Sequence, residues 1–170
     1  MSNGRIFQIG TRPVPKDEYL RLYEVLDNHY FIGPVADYVY DDVTRDDDIT
    51  DLFNLLQRAK GIRCEADDNG DPYFEFDENF KAEFMRPALA HFRGLLGQLV
   101  AYGQIENFTT HNLSYTMWEL KNAYEDQFGF YVKDKDDEFN CDELVTLTSF
   151  LRSAQPNTRY YIGGTLGYHY

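Results

Sequence analysis

The sequence predicts an α+β fold, a mixed sheet of about five or six strands packed by about five amphipathic helices. Three observations carry that prediction. Short segments rich in β-branched and aromatic residues are interspersed with longer ones whose apolar residues recur at helical spacing. An acidic, glycine-containing stretch separates two of the aromatic segments as a hairpin turn would. Of 170 residues, 43% are apolar, with 14 Tyr and 13 Phe among them, so there is material for one substantial core. One cooperative domain over 1–170 is expected, any weak subdivision falling near 79–87.

Taken in chain order, residues 5–9 (Arg-Ile-Phe-Gln-Ile) read as a first strand, closed by Gly10 and the Pro13-Val14-Pro15 turn. Residues 16–27 then place Tyr19, Leu22, Tyr23 and Leu26 at i, i+3, i+4 and i+7, which predicts a helix with Pro15 at its first position. After the Gly33-Pro34 break, residues 35–40 read as a strand. Asp48 precedes a helical pattern of Leu52, Phe53, Leu55, Leu56 and Ala59, so it is expected to cap that helix, with Asp51 complementing the dipole.

Residues 62–66 and 73–76 flank Asp67-Asp68-Asn69-Gly70-Asp71. A two-residue loop would set Cys64 opposite Glu75, whereas an odd loop puts Ile62, Cys64, Ala66, Phe74 and Phe76 on one face; burial favours the odd loop. The pattern from 79 to 102 contains Pro87, which predicts a short helix ending near Met85 and a longer one from Pro87, with Gly94 and Gly97 there to let another backbone approach. A further helix is expected over 113–126, with Leu113, Met117, Leu120 and Tyr124 inward, then a strand over 128–133. Asn140-Cys141-Asp142-Glu143 has the form of a capping box, opening a helix with Leu144, Leu147, Thr148 and Leu151 inward. Residues 159–170 around Gly163-Gly164 make either a final hairpin or one kinked strand.

Charge narrows the function. Six aspartates fall between positions 41 and 51. Segments 34–51, 65–78 and 133–143 carry net charges of −6, −7 and −4 against −13 overall, so everything outside them is net +4. Confined acidity of this kind repels nucleic acid and anionic membranes and favours basic partners. The start, MSNGRIFQIG, lacks a basic segment followed by an apolar run, and 94–105 is too short to cross a bilayer; a cytoplasmic location is the expectation. Cys64 and Cys141 are too few for a disulfide framework or a cysteine metal site and read as reduced core residues.

The motifs for chemistry fall short. A calcium loop starting at Glu65, with Gly70 sixth, has Phe76 where a bidentate glutamate belongs, and one starting near Asp134 lacks its glycine. There is no phosphate-binding Gly-Lys loop, no Gly-x-Ser-x-Gly elbow and no histidine pair at i, i+4 among His29, His91, His111 and His169. Gly163-Gly164-Thr165-Leu166-Gly167 lies too near the end of the sequence for a dinucleotide helix to follow.

No catalytic residue, metal site or cofactor is assigned. The expected function is non-enzymatic: an acidic protein that engages a basic macromolecular surface, in sharper form an inhibitor imitating nucleic acid charge against a phage or plasmid defence nuclease. The residues expected to carry it are Asp41, Asp42, Asp46, Asp47, Asp67, Asp68, Asp71, Asp134, Asp136 and Asp137, with Tyr38 and Tyr40 beside them. One rival is a magnesium-assisted hydrolase using Asp41, Asp42, Asp67, Asp71, Asp134 or Asp136. The other is a self-associating protein, such as a homodimer, pairing through its tyrosine-rich C-terminal segment at a sheet edge.

Overall fold

The computed structural model describes residues 3–110, 112–125, 130–134 and 144–170. It shows an α+β fold with a mixed sheet of seven strands among those residues. The strands are β1 (Asn3–Gly10), β2 (Tyr38–Tyr40), β3 (Ile62–Ala66), β4 (Pro72–Phe76), β5 (Phe130–Asp134), β6 (Leu144–Thr146) and β7 (Tyr160–His169). Their order is β3-β4-β7-β1-β5-β6, with β2 also paired to β7. Only β1 and β5 run parallel.

β7 is the centre of the sheet and is buried along its whole length. One edge pairs with β1; the other is shared end to end by β4, opposite Tyr160 and Tyr161, and β2, opposite Gly167 to His169. The β1 pairing shifts register between Phe7 and Ile9, where Gly163 and Gly164 form a bulge: Phe7 faces Thr165 but Ile9 faces Ile162. A bulge reverses side-chain alternation. Tyr160 and Ile162 therefore enter the core on one face, and Leu166 and Tyr168 the core on the other.

The first core is covered by α2 (Arg45–Leu56), the N-terminal part of α3 (Phe80–Ala101) and α6 (Leu147–Ser153). These bring Ile49, Leu52, Leu56, Phe80, Phe150 and Leu151 onto Phe7, Ile9, Phe74 and Phe76. Full burial of each such phenylalanine contributes about 2–3 kcal/mol relative to exposure. The second core lies under residues 20–36, where Leu20, Val25, Phe31 and Ala36 pack on Ile6, Val39, Leu166 and Tyr168.

The hairpin has the odd loop that burial favours: Cys64 pairs with Phe74 and Ile62 with Phe76 across residues 67–71. The C-terminal segment is the kinked-strand alternative. It lies at the centre of the sheet, buried along its length, with β1 on one side and β4 and β2 on the other.

Other expectations are corrected. Residues 16–27 form not one helix but a 3-10 turn (Lys16–Glu18) and one turn, α1 (Tyr23–Leu26). Leu20 and Val25 are buried there, while Tyr23 and Leu26 are exposed. The cause is Gln8, whose buried Oε1 accepts from Leu20 N at 2.8 Å and Gly164 N at 3.0 Å while Nε2 donates to Glu18 O at 3.0 Å. That amide draws the chain out at Tyr19, which is extended (ψ 141), against the bulge. Gly164 has to be glycine, since a Cβ there would lie 2.6 Å from Leu20 N.

α3 runs unbroken through Pro87, because Phe80 and Leu95, buried on either side of the proline, hold both halves in place. Gly94 and Gly97 admit no close backbone; a Cβ at either meets no described heavy atom within 4 Å. The helix expected over 113–126 is α5 (Ser114–Glu125), preceded by a single turn, α4 (Ile105–Phe108). Its inward face is rotated from the expected one, leaving Met117 and Tyr124 exposed. Residues 144–146 are strand rather than helix, pairing with β5, and α6 starts at Leu147 with Thr146 Oγ1 accepting from Ser149 N at 3.1 Å. The Asn140 cap lies outside the described residues.

Candidate functional site

β2 and β4 share one edge of β7 and both run antiparallel to it, so the end of β2 points toward the start of β4. Between them residues 162–166 of β7 have no strand partner on that edge among the described residues, a notch of roughly 15 Å at about 3.3 Å per residue. The chain leaves β2 at Asp41 on one side of the notch and enters β4 from Asp71 on the other. Two of the three acidic segments thus flank the same notch.

α2 begins at the same place, for a local reason. Thr44 adopts extended backbone (φ −97, ψ 97) as the cap residue, without a side-chain cap bond, and three aspartates in the first turn complement the helix dipole. Asp48 is not the cap, contrary to the expectation; it lies one turn inside and is 4% exposed. Its Oδ1 accepts from Arg5 Nε at 2.5 Å and its Oδ2 from Thr165 Oγ1 at 3.0 Å. Burial works to lower the pKa of Arg5, but the hydrogen bond and charge of Asp48 outweigh it and the pKa is raised. Arg5 Nη1 also donates to Tyr40 Oη at 3.2 Å, tying β2 to the same network.

Arg45 closes the floor of the notch. Its Nε donates to Gly163 O at 2.6 Å and its Nη2 to Ile162 O at 2.8 Å, replacing the donors a strand would supply. The guanidinium lies over the Tyr19 ring, 4.7 Å from its centroid, and Nη1 is 3.5 Å from Asp46 Oδ1. A cleft of about 440 Å³ opens above it, with Tyr19, Arg21, Tyr23, Asp41 and Val43 in its walls.

Around this floor Asp41, Asp42, Asp46 and Asp47 are exposed, as is Asp68. Asp67 is half-buried and has a structural task, its Oδ1 accepting from Asn69 N at 2.9 Å and Asp71 N at 3.0 Å to shape the hairpin loop. Asp71 is half-buried too. Tyr38 is exposed and stacks on His169, with centroids 5.1 Å apart and planes within 4°. Tyr40 is half-buried across Gly167, where a Cβ would meet the ring at 2.3 Å.

The third segment is elsewhere. Asp134 ends β5 opposite Ile9, three strand spacings or about 14 Å across the sheet from β4. Asp136 and Asp137 lie outside the described residues. Among the described residues no group of three or more His, Cys, Asp or Glu converges to hold a metal. Cys64 is half-buried and its thiol is pushed up to about 12 by burial, which keeps it in the unreactive protonated form at neutral pH.

Sequence reasoning overlooked Arg5, Gln8 and Arg45. For Arg45 a signal was there: it is the lone base in 34–51, and a single cation inside an acidic run needs a reason. Compared with family models, curated proteins and solved structures, the chain matches none.

Proposed function

We propose that this protein binds a basic surface of another macromolecule at the notch, through Asp41, Asp42, Asp46, Asp47 and Asp68. The register of β2 and β4 on β7 carries this reading, because it turns acids from two separate connections toward one sheet edge, where their fields add. The rigid floor supports it. Arg45, Asp48 and Arg5 fix the start of α2 from below, leaving the outer carboxylates free to face solvent. With a net charge of −13, a protein displaying Lys and Arg is a better partner than nucleic acid, and a nuclease groove built for phosphates is the sharper form.

The test is capture from host lysate on immobilised protein at low and high salt, with the wild type beside a variant carrying Asn or Ser at Asp41, Asp42, Asp46 and Asp47. The variant is expected to melt close to wild type and to lose the salt-sensitive partner. Undiminished capture at low salt by a folded variant would overturn the proposal.

Self-association is a second reading, favoured by a different surface. Along α3, α4 and α5, Leu96, Val100, Ile105, Phe108, Met117 and Trp118 are exposed. Residues 80–125 carry four acids and four bases, so two copies would meet there without the repulsion the rest of the chain imposes. Sedimentation across the micromolar range tests it: a mass that rises with concentration, and falls back when Val100, Phe108 and Trp118 become Ser, supports a homodimer through the helices. A constant monomer mass excludes it.

A further inference from the structure

We infer that two copies of this protein pair through β3, antiparallel and in the register that sets Cys64 opposite Cys64, so that their sheets join into one. β3 is an end of the strand order: β4 lies on one side of it and, among the described residues, no strand lies on the other. The features that usually protect such an edge are missing, since Ile62–Ala66 contains no proline or lysine and pairs with β4 without a bulge. This surface is separate from the notch and from the exposed helices, and the inference depends on neither reading.

The hairpin decides which backbone groups are on offer. Asp67 N donates to Asp71 O at 3.0 Å and Asp77 N to Gly61 O at 2.8 Å, so the odd-numbered residues from 61 to 67 turn their N–H and C=O toward β4. Ile62, Cys64 and Ala66 therefore point theirs outward, where no turn or loop backbone among the described residues bonds to them. A second β3, related by a two-fold axis, can meet these groups with Cys64, Arg63 or Glu65 on the axis. Centred on Cys64, backbone bonds are exchanged between Ile62 and the partner's Ala66, between the two Cys64 residues, and between Ala66 and the partner's Ile62. Centring on Arg63 or Glu65 loses one of these pairs.

Charge chooses the same register. On the face away from the first core, the Cys64-centred pairing sets Arg63 opposite the partner's Glu65 and Glu65 opposite the partner's Arg63, in non-hydrogen-bonded positions where side chains come closest. The alternatives set Arg63 against Arg63 or Glu65 against Glu65. Both side chains have capacity left. Arg63 is 52% exposed beside Glu75 and Glu65, and among the described residues Glu65 engages Tyr73 and Arg63 through Oε1 alone. Past the strand, Asp67 and Asp68 run toward the partner's Gly61 and Lys60, with Arg58 beyond, so an acidic loop meets bases at both ends of the seam. That matters in a chain whose charge of −13 otherwise repels its copy. On the inner face Ile62 and Cys64, half-buried at the rim of the first core, gain the partner's Ala66 and Cys64 as cover.

Sedimentation from about 1 μM to about 1 mM should show the mass rising from that of the monomer toward twice it, and the amide protons of Ile62, Cys64 and Ala66 should exchange more slowly as concentration rises. Ala66→Pro removes an outward N–H and should hold the chain at monomer mass, with a melting temperature close to wild type. Arg63→Glu and Glu65→Arg should each stay monomeric alone yet form a mixed dimer when combined, because only the mixture sets opposite charges across the seam. A constant monomer mass in the wild type overturns the inference, and a mixture of the two folded charge variants that stays monomeric overturns the register. A dimer that persists in Ala66→Pro, with the three amides exchanging at one rate at every concentration, also overturns it and is the outcome expected of pairing through the helices. The exchange readout uses the wild-type chain, so it decides the matter even where a variant folds poorly.

Discussion

Replacing Asp48 by Ala separates a buried network from a helix cap. Asp48 accepts from Arg5 at 2.5 Å and from Thr165 at 3.0 Å. Removing one partner of a fully buried ion pair costs about 3–5 kcal/mol. Arg5 is 31% exposed at its side chain, so its stranded guanidinium recovers part of its hydration, which lowers the expected cost to about 2–3 kcal/mol. For a chain of this length that corresponds to a drop in Tm of roughly 4–12 °C. Urea unfolding followed by far-UV circular dichroism should show a lower midpoint at unchanged slope. In a double-mutant cycle Arg5→Met should add less to Asp48→Ala than it costs alone, with a coupling above about 1 kcal/mol. A cost of about 1 kcal/mol or less, additive with Arg5→Met, is what a surface cap gives, and it would refute the network.

Two further outcomes follow from particular contacts. Gly164→Ala should destabilise the fold by roughly 1–3 kcal/mol, since its Cβ meets backbone of Leu20. Gly94→Ala, in open space on α3, should stabilise by about 0.8–1 kcal/mol; urea midpoints of both decide, and a stabilising Gly164→Ala would disprove the close approach. In a Cys141→Ser background, the Cys64 thiol, pushed up to about 12, should react with a disulfide reagent at pH 8 far more slowly in native than in unfolded protein. Because the folded state holds the thiol proton more tightly, its contribution to stability is whole below the ordinary thiol pKa and declines as pH rises toward 12. Equal rates in both states, or a contribution that grows with pH in that window, would contradict the burial.

The register of the hairpin was legible because its two strands present one apolar face, and a register slip of one residue would send Phe74 and Phe76 into water, although Ala66 at the end of that face is exposed. The strand over 5–9 was legible for a similar reason. The failures share a different cause. Leu144, Leu147, Thr148 and Leu151 satisfy helical spacing, yet 144–146 pair with β5, and no local pattern reports the presence of an edge in need of a strand. Residues 16–27 have good helical spacing, but the amide of Gln8 reaches Leu20 and Glu18 and outcompetes it.

The acidic segments divide the same way. By itself the sequence determined where the acids lie and that they exceed what helix starts need. It could not show that Asp48 turns inward to Arg5 and Thr165, 43 and 117 positions away, while Asp41 and Asp71 lie on either side of one notch. Those assignments rest on one tertiary event, the Gly163-Gly164 bulge. It flips the alternation of β7 and turns Thr165 toward α2, and Arg45 meets the carbonyls of Ile162 and Gly163 beside it. Periodicity records which residues are apolar, whereas the face each one takes after a bulge is set by the strand it pairs with.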